Sequence, residues 1–206
     1  MSIEEYEYRG HTITIGQDCD TESPREWGHD STILYGHNRY TVGEVSVSDW
    51  EGEFYDLYDR EPDSWADWVT FVTEHKQAIC ILPVYIYDHS GLALSTTPFG
   101  CRWDSGQVGI IFTTKAIIDK NWAHCKTAPT PEDIERGLRG EIDTYGQYLS
   151  GKVYYYRVEG DLYDDSLGGI YGDIDDDVKA EAQREVDAAY EREAEEAAKV
   201  ARCVTL

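Results

Sequence analysis

The chain opens with short alternating runs and closes with long helical ones. Residues 5–17 alternate in places, with Tyr6 and Tyr8 followed by Thr12, Ile13, Thr14 and Ile15, and predict a strand. Residues 31–35 and 39–47 predict two more, with His37-Asn38 as the turn of an antiparallel hairpin or meander. The run 78–87 is apolar throughout and rich in β-branched and aromatic residues, which predicts a central buried strand. Strands are expected at 91–97 and 107–113, after turns at Asp88-His89-Ser90-Gly91 and Asp104-Ser105-Gly106. Residues 151–159, with Val153, Tyr154, Tyr155, Tyr156 and Val158, predict another.

Helical spacing appears in four places. Pro62 suits the first turn of a helix reaching Lys76, with Trp65, Trp68, Val69 and Val72 facing the core. Residues 114–122 predict a short helix. Thr130-Pro131-Glu132-Asp133 supplies an N-cap, a proline at the first helical position and an acid three residues after the cap. Ile134, Leu138, Ile142, Tyr145 and Leu149 continue that helix as a stripe. A Gly- and Asp-rich loop over 161–177, with room for a short strand, leads into a long helix over 175–203. Its stripe of Val178, Ala182, Val186, Ala189, Ala197 and Ala201 is narrow and mostly alanine. At about 25 cal/mol per Å² such a stripe docks weakly, so the helix is expected to project, to pack shallowly or to serve in assembly. The fold class is α+β: a mostly antiparallel sheet, several helices and a long acidic C-terminal helix. Residues 1–160 are expected to form the domain, with the loop and helix of 161–206 packed on it.

Charge changes the picture more than any motif. The 206 residues hold 41 acidic and 18 basic side chains, a net charge of −23. Such a field repels nucleic acid and anionic membranes and attracts basic surfaces. The charge is also segregated. Residues 1–67 carry 17 acids against 4 bases, 68–158 carry 9 of each, and 159–206 carry 15 against 5. A uniform adaptation to salt would spread the acid, so a neutral centre between acidic flanks suggests a local use. Several acids are also useful to the helices, through pairs such as Asp175–Lys179, Arg192–Glu196 and Glu195–Lys199 or the first-turn dipole. No stretch approaches the length of a membrane span and the N-terminus lacks a signal-peptide pattern, so a cytoplasmic location is expected. The five cysteines, Cys19, Cys80, Cys101, Cys125 and Cys203, are odd in number and form no CxxC pair. That argues against a disulfide framework and a cysteine-rich zinc site.

The centre holds Pro83-Val84-Tyr85-Ile86-Tyr87-Asp88-His89-Ser90-Gly91, then Ser95-Thr96-Thr97-Pro98-Phe99, then Cys101-Arg102-Trp103-Asp104-Ser105-Gly106-Gln107-Val108-Gly109. With Leu138-Arg139-Gly140-Glu141 and Tyr145-Gly146-Gln147-Tyr148-Leu149-Ser150-Gly151, it resembles the central block of a family of largely uncharacterised proteins of phages, plasmids and integrative elements. The likeness covers residues 80–160 and not the acidic flanks. It implies a mobile-element setting, where counter-defence and host takeover are common roles, and it carries over no catalytic residue.

Reactive residue types concentrate in that block: Asp88, His89, Ser90, Ser95, Cys101, Asp104 and Ser105. A cysteine with a histidine and an aspartate is the composition of a nucleophile, base and orienter. No GxSxG elbow or cysteine-protease signature accompanies them. Turn chemistry explains Asp88–Gly91 and Asp104–Gly106 equally well, and Arg102 and Trp103 are expected to stack over the sheet. His124-Cys125 lacks the second pair a zinc site needs. Asp173-Ile174-Asp175-Asp176-Asp177 departs from a calcium loop at its sixth and twelfth positions, Val178 and Arg184. There is no phosphate loop, no dinucleotide fingerprint and no basic patch for nucleic acid. No cofactor, metal or catalytic residue is therefore assigned.

The flanks supply the candidate surface. On the last helix Glu181, Glu185, Asp187, Glu191, Glu195 and Glu196 project along several turns. Carboxylates four residues apart stand about 6 Å apart along a helix. Phosphates repeat about every 3.4 Å along a DNA strand. Asp164, Asp165, Asp175, Asp176 and Asp177 extend the same surface. In the first flank Glu51, Glu53, Asp56 and Asp59 interleave with Trp50, Tyr55 and Tyr58, which suit apolar anchors. The expected partner is the basic nucleic-acid-binding surface of a host defence protein of restriction or CRISPR type, with the protein acting as an inhibitor or DNA mimic. Two other readings are a hydrolase or transferase using Cys101 and His89, and an assembly protein self-associating through its last helix.

Overall fold

The computed structural model describes residues 2–89 and 91–204. It contains nine strands and five α-helices among those residues, an α+β fold as expected. The chain divides into two compact units: residues 1–22 with 151–206, and residues 23–150. The boundary expected near residue 160 is not where the fold divides. The reason lies in strand pairing, because the N-terminal strands hydrogen-bond to the strand that follows residue 150.

The first unit begins with β1 (Ser2–Tyr8) and β2 (His11–Gln17), two antiparallel strands where one was expected. Arg9 and Gly10 turn between them with φ of 48° and 74°, a left-handed pair that matches the twist of a two-residue hairpin. Later elements β8 (Val153–Glu159) and β9 (Asp165–Tyr171) complete an antiparallel sheet of order β1-β2-β8-β9. A π-helical turn, Ile174–Val178, leads into α5 (Lys179–Val204). Val178, Ala182 and Val186 are fully buried against Ile13, Ile15, Tyr156 and Val158. Each buried valine contributes on the order of 1.5 kcal/mol, so the first half of the helix is docked and does not project. Beyond Tyr190 the picture reverses: residues 191–199 are exposed throughout.

The second unit is a five-stranded sheet of order β4-β3-β7-β5-β6 with helices on both faces. Its strands are β3 (Thr32–Tyr35), β4 (Val45–Ser46), β5 (Ala78–Asp88), β6 (Leu92–Ser95) and β7 (Ser105–Thr114). All pairs are antiparallel except β3 with β4, which is parallel. The strand expected over 39–47 thus shrinks to two residues, and the hairpin through His37-Asn38 does not form. Val42 is instead buried from a loop, so its apolar side chain reaches the core without a ladder. On β7, Ile111 faces one layer while Ile110 and Phe112 face the other, which explains the unbroken apolar run.

Two helices cover one face: α1 (Val47–Tyr58) and α2 (Trp65–His75). The sequence reading anticipated only the second. Pro62 lies before it rather than in its first turn, and Ser64 is the cap, its N–H donating to Asp67. Trp68, Phe71 and Val72 are buried, Trp65 packs at the edge and Val69 is exposed. After β7 comes α3 (Lys115–Asn121), capped by Thr114. On the other face α4 (Pro131–Leu149) starts at the Thr130–Asp133 capping box and buries Leu138, Ile142 and Tyr145. Among the described residues no helix is long and apolar enough to cross a membrane.

Candidate functional site

Helix α1 sorts the first acidic segment into two faces. Trp50, Phe54 and Tyr58 recur every four residues and point inward. Trp50 packs on Phe71 and Phe112 at ring distances of 5.7 and 6.3 Å, under the Lys76 ammonium. Tyr58 packs on Phe54 and donates its hydroxyl to Glu74 at 2.8 Å. Both were expected to be partner anchors. They belong to the core, because helical periodicity places them on the buried stripe. Glu53 is also committed, to Lys76 at 2.7 Å, and Asp59 ends the helix in the left-handed conformation. The outward face keeps Glu51, Tyr55 and Asp56. Glu51, Tyr55, Glu61 and Pro62 border an open hollow of about 360 Å³ floored by Gly52.

Helix α5 sorts the second segment by position along its axis. Asp187 accepts the Tyr8 hydroxyl at 3.0 Å and pairs with Arg9 at the same distance, tying the helix to the β1–β2 turn. Glu181 pairs with Arg184. Asp175 pairs with Lys179, as the spacing predicted. Lys179 also reaches Glu4, and these carboxylates hold its ammonium well above the usual lysine range. Asp177 accepts the Asp173 N–H at the head of the helix. Asp164, Asp165 and Asp176 are exposed, and Glu185 is half-buried. Glu191, Glu193, Glu195 and Glu196 are exposed and take no ion pair among the described residues, so the pairs expected to Arg192 and Lys199 do not form.

Folding redistributes the charge that the sequence segregates. The first unit holds 21 acids and 8 bases, a balance of −13, and the second holds 20 and 10, a balance of −10. Each unit therefore carries its own acidic helix surface.

The central block brings three of its reactive side chains together. Asp104 stands between the other two: His89 Nδ1 lies 3.5 Å from its carboxylate and the Cys101 thiol donates to it at 3.7 Å. A nucleophilic triad needs the imidazole next to the thiol. Here the thiol's neighbour is the Asp104 carboxylate. Ser105 donates to the Cys101 carbonyl, Asp88 accepts from Tyr40 and Arg39, and Ser95 bonds Thr97, all turn and loop architecture. Ser90 lies outside the described residues. Trp103 does not stack over the sheet but is 95% exposed. No group of three or more possible metal ligands occurs among the described residues.

One constellation escaped the sequence reading. Arg25, whose side chain is only 8% exposed, donates to Glu44 at 2.6 Å and to Glu141 at 2.7 Å. Burial alone would lower the guanidinium's pKa, but the two carboxylates outweigh it and the net shift is upward. Glu141 also accepts the Asp30 N–H and the Ser31 hydroxyl, and Glu44 accepts the Ile33 N–H. Asp30 accepts from Asn121 and from the Trp122 indole, both at 2.7 Å. These residues are scattered over 25–141 without motif spacing, and only the fold unites them. Comparison of the chain with protein-family models, curated proteins and solved structures finds no match.

Proposed function

We propose that the protein works by binding, presenting acidic helix surfaces to the basic nucleic-acid-binding face of a host protein and thereby inhibiting it. The observation that carries this reading is the outer part of α5. Residues 191–199 are exposed throughout, yet they display Glu191, Glu193, Glu195 and Glu196 without an ion pair among the described residues. Like charges at this spacing weaken a helix, so their use lies outside the fold. The hollow beside Tyr55, with Glu51 and Glu61 at its rim, offers the second unit's counterpart: an aromatic face flanked by carboxylates, suited to an arginine or lysine. The resemblance of the central block to mobile-element proteins favours a counter-defence role, of restriction or CRISPR type, for the complex.

The test uses a host strain with an active restriction or CRISPR system. Expression of the protein should raise the survival of incoming target DNA. A purified complex with the inhibited component should be displaced by duplex DNA and by salt. Converting Glu191, Glu193, Glu195 and Glu196 to lysine should abolish both effects while leaving the circular dichroism spectrum unchanged. Full protection by that folded variant would overturn the proposal.

A further inference from the structure

The second unit contains a cavity away from helix α1 and its acidic face. It has a volume of about 310 Å³, lies between residues 24–30 and α4, and is bordered by Arg25, Trp27, His29, Asp30, Gly140 and Glu141. A smaller hollow of about 40 Å³ shares Asp30 and Glu141 with it and is bordered by Trp122 and Gly137. Four charged groups set the electrostatics: Arg25 against Glu44, Glu141 and Asp30. One cation facing three anions leaves the cluster at −2.

Acceptor capacity remains after the internal bonds are made. Among the described residues each Asp30 oxygen accepts a side-chain donor, and Glu141 Oε1 accepts the Asp30 N–H. A carboxylate offers about four acceptor positions. His29 Nδ1 lies 2.8 Å from the Ser31 carbonyl, which can only accept. In the tautomer that donates this bond, Nε2 is left as an acceptor. The indoles of Trp27 and Trp122 are 44% and 38% exposed. Indole faces attract cations.

The helix beneath is stripped at this place. Gly137 and Gly140 lie three residues apart in α4, and a β-carbon at either would meet nothing within 4 Å. At Gly146 the same test meets the Leu94 backbone at 3.2 Å, so that glycine is explained by packing. A mid-helix glycine weakens a helix relative to alanine. At Gly140 what the glycine preserves is open space on the cavity wall.

We propose that this cavity binds a guanidinium or primary ammonium group on an apolar stem. The cation sits at Asp30 and Glu141, and the stem lies along the bare backbone at Gly140 beside Trp27. The proposal is independent of the acidic-helix reading. The same chemistry occurs in a free polyamine and in a basic side chain displayed by a protein.

Titration of the full-length protein, followed by calorimetry and tryptophan emission, tests it. The probes are spermidine, a capped Gly-Arg-Gly peptide and the matching citrulline peptide, which has the shape of arginine without its charge. The cationic probes should saturate at concentrations on the order of 1 mM, the range expected for so few atoms. The citrulline peptide should bind at least tenfold more weakly. Gly140→Leu should fold with an unchanged or higher melting temperature and lose at least tenfold in affinity. If that variant fails to fold, Trp27→Ala decides by the same criterion. Tighter spermidine assigns the site to a free cation, and a tighter arginine peptide assigns it to a protein side chain. Absence of saturation, equal binding of citrulline, or undiminished binding by the deciding folded variant overturns the proposal. The last of these would reveal only diffuse attraction to an acidic protein.

Discussion

Arg25 and Glu141 stand 116 residues apart in sequence and meet at 2.7 Å, joining the 3-10 turn Pro24–Glu26 before β3 to the middle of α4. The pair is largely withdrawn from water, and Glu44 completes it from a second loop. Removing one member of a buried charged network leaves the others unpaired, at a cost of about 3 kcal/mol or more. Glu141→Ala should therefore lower the urea midpoint of the second unit by a large fraction of its stability. An effect below about 0.5 kcal/mol, the size of an exposed pair, would show that solvent replaces the lost bonds.

Asp187 and Glu191 are both acids on α5, yet they should respond in opposite ways to neutralisation. Asp187→Asn weakens the bonds from Tyr8 and Arg9 and should destabilise the first unit by about 1 kcal/mol. Glu191→Gln removes repulsion from a helix face that buries nothing, and should be neutral or stabilising by about 0.2–0.5 kcal/mol. Thermal unfolding of the two variants, compared with the parent, checks the contrast. It also decides which charges are fit for binding tests, since Asp187 confounds any charge-reversal set that contains it.

That contrast shows where the sequence was legible. Strong local signals were read correctly: the Thr130–Asp133 cap, the strand over the apolar run that became β5, though β7 is the central buried one, and the i,i+4 pair of Asp175 with Lys179. Weak local signals failed where tertiary contacts decided. Helix α1 was hidden because Gly52 and four acids obscure the spacing of Trp50, Phe54 and Tyr58. The alanine stripe of α5 promised only weak docking, but Tyr156 and two isoleucines on the facing sheet fill the space that small side chains leave. The hairpin turn at Arg9-Gly10 lacks the Asn-Gly or Asp-Gly pair that usually marks it. The Arg25 network was not legible at all, since nothing local relates Arg25, Glu44 and Glu141.

Gln77 follows the last turn of α2 and holds a φ of 57°. A side chain in this conformation crowds the backbone by about 1–2 kcal/mol, and glycine is the usual residue at such a helix end. The greater freedom of glycine in the unfolded chain offsets about 0.4–1 kcal/mol of that. Gln77→Gly should accordingly stabilise the protein by about 0.5–1 kcal/mol, read as a rise in the urea midpoint at constant slope. A loss of stability would mean that the exposed Gln77 side chain makes compensating contacts in solution.

Asp67 makes the second unit sensitive to acid. Its carboxylate accepts from the Arg60 guanidinium at 2.6 Å and from the N–H groups of Asp63 and Ser64. The guanidinium contributes most, and together these bonds hold the pKa at about 2 against an ordinary 3.8. Because the folded value lies below the unfolded one, the bonds stabilise the fold fully above about pH 4. That contribution fades as pH falls from about 4 towards 2, where the folded carboxylate takes its proton. Asp133 is lowered too, chiefly by the Thr130 N–H, and adds to the same trend. Asp67→Asn should be less stable than the parent at pH 6. Its urea midpoint should fall less steeply between pH 4 and 2.5, so that the two proteins converge in acid. Parallel curves over that range would mean that Asp67 titrates alike in the folded and unfolded chains, and that the cap at Ser64 does not depend on its charge.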